Sequence, residues 1–125
     1  MKISSLLHAT LLTADLVRSR AFYERLLGLS PNSARPAMSF TGVWYDLADG
    51  QQLHLMRLPD PEAGLLRPAH GGRDRHLALA VDDLAELARR LHVAGISYTQ
   101  SQSGRQALFC RDPDGNALEF IEAGL

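Results

Sequence analysis

A chain of 125 residues, with 13 Lys and Arg against 14 Asp and Glu and a formal net charge of −1, has room for one domain with a sizeable core. That balance excludes an electrostatic footprint for nucleic acid or an anionic membrane surface. No apolar run approaches the roughly 20 residues that span a bilayer. The lone Cys110 cannot close an internal disulfide, and within the apolar run Ala107-Leu-Phe-Cys110 it reads as a buried structural thiol rather than a nucleophile. The opening Met1-Lys-Ile-Ser-Ser lacks the succession of a signal peptide, so a cytoplasmic protein is expected.

In chain order, residues 3 to 13 form an apolar run of Leu, Ile and Thr and predict a strand. Asp15 then suits a helix start. Leu16, Phe22, Tyr23, Leu26 and Leu27 follow at mostly helical spacing until Gly28 stops them. Pro31, Asn32 and Pro36 mark a loop, and two strands near 42–48 and 51–57 flank the hairpin signal Asp49-Gly50. Residues 59 to 74 read as a connector rather than a packed element. A strand near 75–81 leads into a helix opened by Asp82 or Asp83, with Leu84, Leu87, Ala88 and Leu91 as its apolar stripe and Gly95 at its end. Strands near 97–100, 106–111 and 116–122 close the chain.

The second half thus repeats the first, and a repeat dictates architecture. His8-Ala-Thr-Leu-Leu-Thr-Ala-Asp-Leu16 is answered by His76-Leu-Ala-Leu-Ala-Val-Asp-Asp-Leu84, offset by 68 positions. Asp49-Gly-Gln-Gln-Leu-His54 is answered by Asp114-Gly-Asn-Ala-Leu-Glu119, offset by 65. The expectation is an α+β domain of two βαβββ modules, about 1–58 and 75–125, forming a cup-shaped mixed sheet with helices outside. At the matched polar positions stand His8, His54, His76 and Glu119, all side chains that ligate metals. Strand alternation sets each of them opposite the row of larger aliphatic residues, for example Leu53 and Leu55 beside His54 and Leu118 and Phe120 beside Glu119. A single strand histidine is ordinarily a surface or hydrogen-bonded residue. Four metal-ligating types at symmetry-matched positions point instead to one site on an open face.

His8, Asp15-Leu16, Phe22-Tyr23, Leu27-Gly28, His76, Asp112-Pro-Asp-Gly115 and Leu118-Glu119 together resemble the vicinal oxygen chelate superfamily, which includes glyoxalase I, fosfomycin-resistance transferases, extradiol dioxygenases and bleomycin-binding proteins. The resemblance covers essentially the whole chain. It implies a homodimer acting on a small molecule, with metal ligands at His8, His76 and Glu119, drawn in some members from both subunits. The fourth ligand position, Glu in glyoxalase I, is His54 here. Three imidazoles and one carboxylate leave a divalent ion at a formal +1, and these donors suit Zn, Ni, Fe, Mn or Co without choosing among them.

Thr10 shares the face of His8 and is a candidate substrate contact, or simply a β-branched strand former. Trp44 and Phe109 sit on corresponding walls as pocket floor or core. The dioxygenases and transferases of the superfamily have Tyr where Phe109 stands, so both chemistries lose a hydroxyl here. Arg57, Arg73, Arg75 and Arg105 lie near strand ends where one could hold a carboxylate or phosphate, Arg57 being the one expected at the pocket. His70 and His92 are expected to be structural or exposed, and Glu122 has the wrong strand parity to join Glu119. The leading expectation is a glyoxalase-I-like lyase or isomerase that chelates its substrate through vicinal oxygens, with Glu119 as the base. A ring-cleaving dioxygenase using His8, His76 and Glu119, or a non-catalytic drug-binding resistance protein, are the alternatives.

Overall fold

The two aspartates that the repeat sets in register, Asp15 and Asp83, both cap helices. Asp15 Oδ1 accepts from the Arg18 amide at 3.1 Å, opening α1 (Leu16–Arg20). Asp83 Oδ1 accepts from the Glu86 amide at 2.9 Å, opening α2 (Leu84–Val93). The computed structural model describes residues 1–124, and the chain divides between Pro61 and Glu62 into two compact units.

In the first unit, β1 (His8–Leu12), β2 (Gly42–Asp46) and β3 (Gln52–Met56) form a sheet of order β1-β3-β2. β1 runs parallel to β3, and β2 runs antiparallel to it. Val43, Tyr45, Leu53 and Leu55 form one buried face and, with Phe22 and Tyr23, make the core of this unit. The helical run expected to Leu27 loosens after Arg20 into a π turn at Ala21–Leu26, whose Leu27 amide reaches the Phe22 carbonyl at 3.1 Å. That wider turn buries the consecutive Phe22 and Tyr23 together. Asp49 and Gly50, with φ of 60° and 73°, both take the left-handed conformation of the tight hairpin between β2 and β3.

Two expectations are corrected here. Strand β1 begins at His8, not at residue 3; the preceding segment, with Ile3, Leu6 and Leu7, is exposed. Among the described residues the module also has three strands rather than four, and at the loop Pro31 forms an isolated bridge with Tyr45. The Asn32 amide supplies a hydrogen bond there, to the Trp44 carbonyl at 2.7 Å.

Gly42 starts β2 because its backbone runs close under its neighbour. A Cβ there would lie 2.4 Å from the Leu55 carbonyl oxygen and 3.0 Å from Arg35 Nη2. Gly42→Ala is expected to cost about 1–3 kcal/mol through this overlap, read as a lowered urea midpoint with an unchanged m-value.

The second unit carries β4 (His76–Val81), β5 (Tyr98–Gln100), β6 (Ala107–Arg111) and β7 (Ala117–Glu122) in the order β4-β7-β6-β5. β4 and β7 are parallel, and the other neighbours are antiparallel. Leu108, Cys110, Leu118 and Phe120 line one buried face, and Leu84, Leu87 and Leu91 of α2 are buried in the same unit. Burial, with Asp112 nearby, pushes the Cys110 thiol up to about 12, as suits an inert structural cysteine.

The opposite face of this sheet is not the open surface that strand alternation suggested. Ala107, Phe109, Ala117 and Glu119 are buried too. The connector accounts for part of this. Its Gly71–Arg73 segment forms a short 3-10 turn on the sheet, where a Cβ on Gly71 would sit 3.4 Å from both Ala117 Cβ and Phe109 Cβ.

Candidate metal centre

In the first unit, strand register brings His8, Thr10, Trp44 and His54 to one face. Thr10 and Trp44 both pair with His54 across the sheet, and His8 pairs with Gln52. The three rings form a stack. His54 lies 4.2 Å from the His8 ring and 4.4 Å from the Trp44 ring, with interplanar angles of 11° and 7°. His54 is thereby buried between two rings, while His8 and Thr10 are exposed. Burial, together with the nearby charges of His8 and Arg35, pushes the His54 imidazole below its ordinary range. A neutral ring near neutral pH is the form that ligates a metal.

The edge of that ring is held as well. His54 Nε2 lies 2.8 Å from Gln52 Oε1, and Gln52 Nε2 donates to Asp46 Oδ1 at 2.8 Å. Asn32 Nδ2 donates to both Asp46 oxygens, at 3.1 and 3.0 Å. These donors hold the Asp46 carboxyl below its usual range.

In the second unit, Glu119 faces Phe109 across β6 and Ala78 across β4. A buried carboxylate needs compensation, and Glu119 has two partners: His76 Nε2 at 3.4 Å from Oε1 and Arg105 Nη2 at 3.4 Å from Oε2. His76 Nδ1 lies 2.9 Å from the Asp74 carbonyl, which can only accept. Nδ1 therefore carries a proton toward Asp74, and Nε2 is the ring atom that faces Glu119. Phe109 completes this half, edge-on to His76 at 5.2 Å and to His70 at 4.9 Å, and His70 bonds Thr99 at 2.8 Å.

The donor chemistry fits a divalent ion. Two donors each about 2.1 Å from a tetrahedral ion stand about 3.4 Å apart, which is the separation of His76 Nε2 and Glu119 Oε1 at 3.4 Å. His8 and His54 are neighbours, but their parallel rings do not aim at one point. His54 is fixed between its neighbours, so the exposed His8 is the ring with room to turn out of the stack. Among the described residues no three His, Cys, Asp or Glu side chains are grouped as a metal site. The structure thus brings the four expected ligands together in two pairs, one in each unit.

The remaining expected positions divide. Trp44 and Phe109 do sit beside candidate ligands. Arg57 does not point to a role: it follows β3, exposed, and its backbone amide bonds Thr41 at 2.9 Å. Arg105, weighed in the sequence only as a rim residue for an anion, instead meets the chain's own Glu119. Its Nε is steadied by Ser103 Oγ at 3.3 Å. Glu122 is turned away as its parity requires, its Oε1 accepting from the Leu84 amide at the start of α2 at 3.0 Å. Sequence reasoning missed the partners of the histidines, Gln52 and Asp74. The alternation of His54 with Gln52 on one face was the available signal for the first, and a backbone carbonyl leaves no signal for the second.

Asp74 also organises the approach to β4. It accepts from Arg111 Nη1 at 2.9 Å, from Arg67 Nη1 at 3.3 Å and from the Arg75 amide at 2.8 Å. Arg111, followed by Arg75 and Arg67, holds its carboxyl below the usual range. A depressed carboxylate stabilises the fold above its unfolded value of about 3.9, and that contribution is lost as pH falls through the lower folded value. Asp74→Asn should therefore lower the urea midpoint at pH 7, with the difference from wild type shrinking as pH falls below the unfolded carboxyl range.

With this geometry in place, the sequence relationships are informative. Residues 5–120 match the family described as the Glyoxalase/Bleomycin resistance protein/Dioxygenase superfamily, and the chain belongs to it. It is 31% identical to the lactoylglutathione lyase of Haemophilus influenzae over 94% of this chain and 91% of that protein. It is 32% identical to the glutathione transferase FosA of Serratia marcescens over 94% of this chain and 80% of that one. The glyoxylase/bleomycin resistance protein/dioxygenase domain from Frankia sp. EAN1pec superposes with a TM-score of 0.74 at 24% identity, covering 98% of this chain and 100% of that chain. The α+β class and mixed sheets expected from the repeat are those of this family.

Proposed function

We propose that the protein is a divalent-metal-dependent lyase or isomerase of the glyoxalase I kind. Its ligands would be His8, His54, His76 and Glu119, and its substrate a small molecule held through two neighbouring oxygens. The observation that carries this is the buried Glu119 carboxylate with His76 Nε2 3.4 Å from its Oε1. When bound, the ion supplies Lewis-acid polarisation of the substrate oxygens. Glu119 would take a proton from the carbon bearing one of these oxygens and return it to the carbon bearing the other, as the hydroxyl proton of the first oxygen passes to the second. Buried Phe109 keeps water from its side of the carboxylate, and exposed Thr10 offers a hydroxyl to the substrate.

The relatives named lactoylglutathione lyase support this choice over ring cleavage. Phe109 points the same way, since it has no hydroxyl for the dioxygenase chemistry. A homodimer in the cytoplasm is part of the proposal. The exposed apolar Ile3, Leu6 and Leu7 ahead of edge strand β1 are a surface that a second copy would cover. No helix among the described residues is long and apolar enough to cross a membrane.

The test is formation of lactoylglutathione from methylglyoxal and glutathione by protein reconstituted separately with Zn, Ni, Co, Mn and Fe, alongside oxygen uptake on catechols. Thioester formation with at least one metal is expected. Oxygen uptake without thioester formation would replace the proposal with the dioxygenase. Tight drug binding that persists without metal, and no turnover of either kind, would replace it with the resistance protein.

A further inference from the structure

His54 is tied to the surface by hydrogen bonds whose directions are all forced. The Ala34 amide donates to Asn32 Oδ1 at 2.7 Å, so Asn32 must present its Nδ2 to Asp46, as it does at 3.1 and 3.0 Å. An ionised Asp46 can only accept, so Gln52 must turn its Nε2 toward it, at 2.8 Å. The Gln52 amide then has only its oxygen left for His54, and an amide oxygen cannot donate. The proton between them therefore belongs to His54 Nε2, 2.8 Å away. His8 and Trp44 stack on the two faces of the ring, so its nitrogens are met along its edge.

We infer that the chain Asn32–Asp46–Gln52 is a positioning device that fixes His54 as its Nε2–H tautomer and leaves Nδ1 as the ring's only donor atom for a metal. The second unit makes the opposite choice. There the Asp74 carbonyl takes Nδ1–H of His76 and leaves Nε2 toward Glu119. The two halves of the repeat would thus ligate through different ring nitrogens. Hydrogen bonds of this outer kind fix the tautomer, orient the ring and raise its basicity, and their loss typically weakens metal affinity 10–100-fold. The tautomer assignment stands on the hydrogen bonds alone; its consequence for affinity rests on the proposed metal site.

Long-range ¹H–¹⁵N correlation spectra of the metal-free protein at pH 8, with His54 assigned through His54→Gln, test the assignment directly. The expected result is an unprotonated Nδ1 and a protonated Nε2 whose proton exchanges slowly with water. That slow exchange should be lost in Gln52→Leu and also in Asp46→Ala, which acts one link further out. An unprotonated Nε2, or an exchange rate that neither variant changes, would overturn the inference. Titration with zinc should then shift Nδ1 while Nε2 keeps its proton, with affinity about 10–100-fold weaker in Gln52→Leu. Zinc on Nε2 would overturn the ligand assignment. No response of His54 to zinc, with the Nε2–H tautomer intact, would leave the positioning chain standing and remove His54 from the proposed metal site.

Discussion

Glu119→Gln is expected to lower turnover of the reconstituted protein by at least about 10²–10⁴-fold, the usual contribution of a positioned acid–base group. The amide is nearly isosteric, so folding should survive. It can neither take a proton nor bring a full negative charge to the metal. Glu119 is 3% exposed and meets Arg105 and His76, so the substitution also leaves the Arg105 guanidinium without its carboxylate. Substrate binding through the neighbouring side chains should persist, making the loss chiefly one of kcat. Steady-state kinetics on metal-loaded protein check this, with metal content measured on the same sample. A fully active, metal-loaded variant would remove Glu119 from the mechanism.

The largest loss of stability is expected at Leu53→Ala. Leu53 is fully buried at 0% exposure and lies in β3 between β1 and β2, paired with Ala9 on one side and Tyr45 on the other. Truncating a buried Leu removes its transfer energy and leaves a cavity, typically at a cost of 2–5 kcal/mol. That is a large share of the roughly 5–15 kcal/mol that holds a domain folded. Because residue 53 adjoins His54, weaker metal binding should accompany the lower melting temperature. Calorimetry should show a downward shift of about 5–15 °C, at the few degrees per kcal/mol expected for a domain of this size. A shift below about 2 °C would mean that this face is not the core of the unit.

Much of the fold was legible because the repeat carries its own internal check. Asp15, and either Asp82 or Asp83, were marked as helix starts from local chemistry; Asp15 and Asp83 are the caps. The division of strands into an aliphatic and a ligand face followed from alternation, and Leu53, Leu55, Leu118 and Phe120 are buried where it put them. What alternation does not encode is what covers the second face. Phe109 and Ala117 are buried by a turn of the connector, and a Gly-Gly pair in a loop does not announce that it will lie on a sheet.

The site shows the same division. The four candidate ligands were visible as residue types at matched positions, and the structure pairs His8 with His54 and His76 with Glu119. Their partners were less visible. Arg105 reaches Glu119 from a turn fourteen residues earlier, a distance at which sequence carries no contact signal. Gln52 shares its face with His54, yet its role depends on Asp46 and Asn32, which only strand register and loop geometry bring to it. Residue types therefore predicted what ligates, while the atoms that do so required the hydrogen bonds.

The most direct test of the account is elemental analysis of freshly purified, tag-free protein beside His54→Ala and Glu119→Ala. The account predicts near-stoichiometric Zn, Ni, Co, Mn or Fe in the wild type, lost in both variants, one drawn from each half of the repeat. Wild-type protein that stays metal-free even after reconstitution, or variants that both keep the metal, would contradict it.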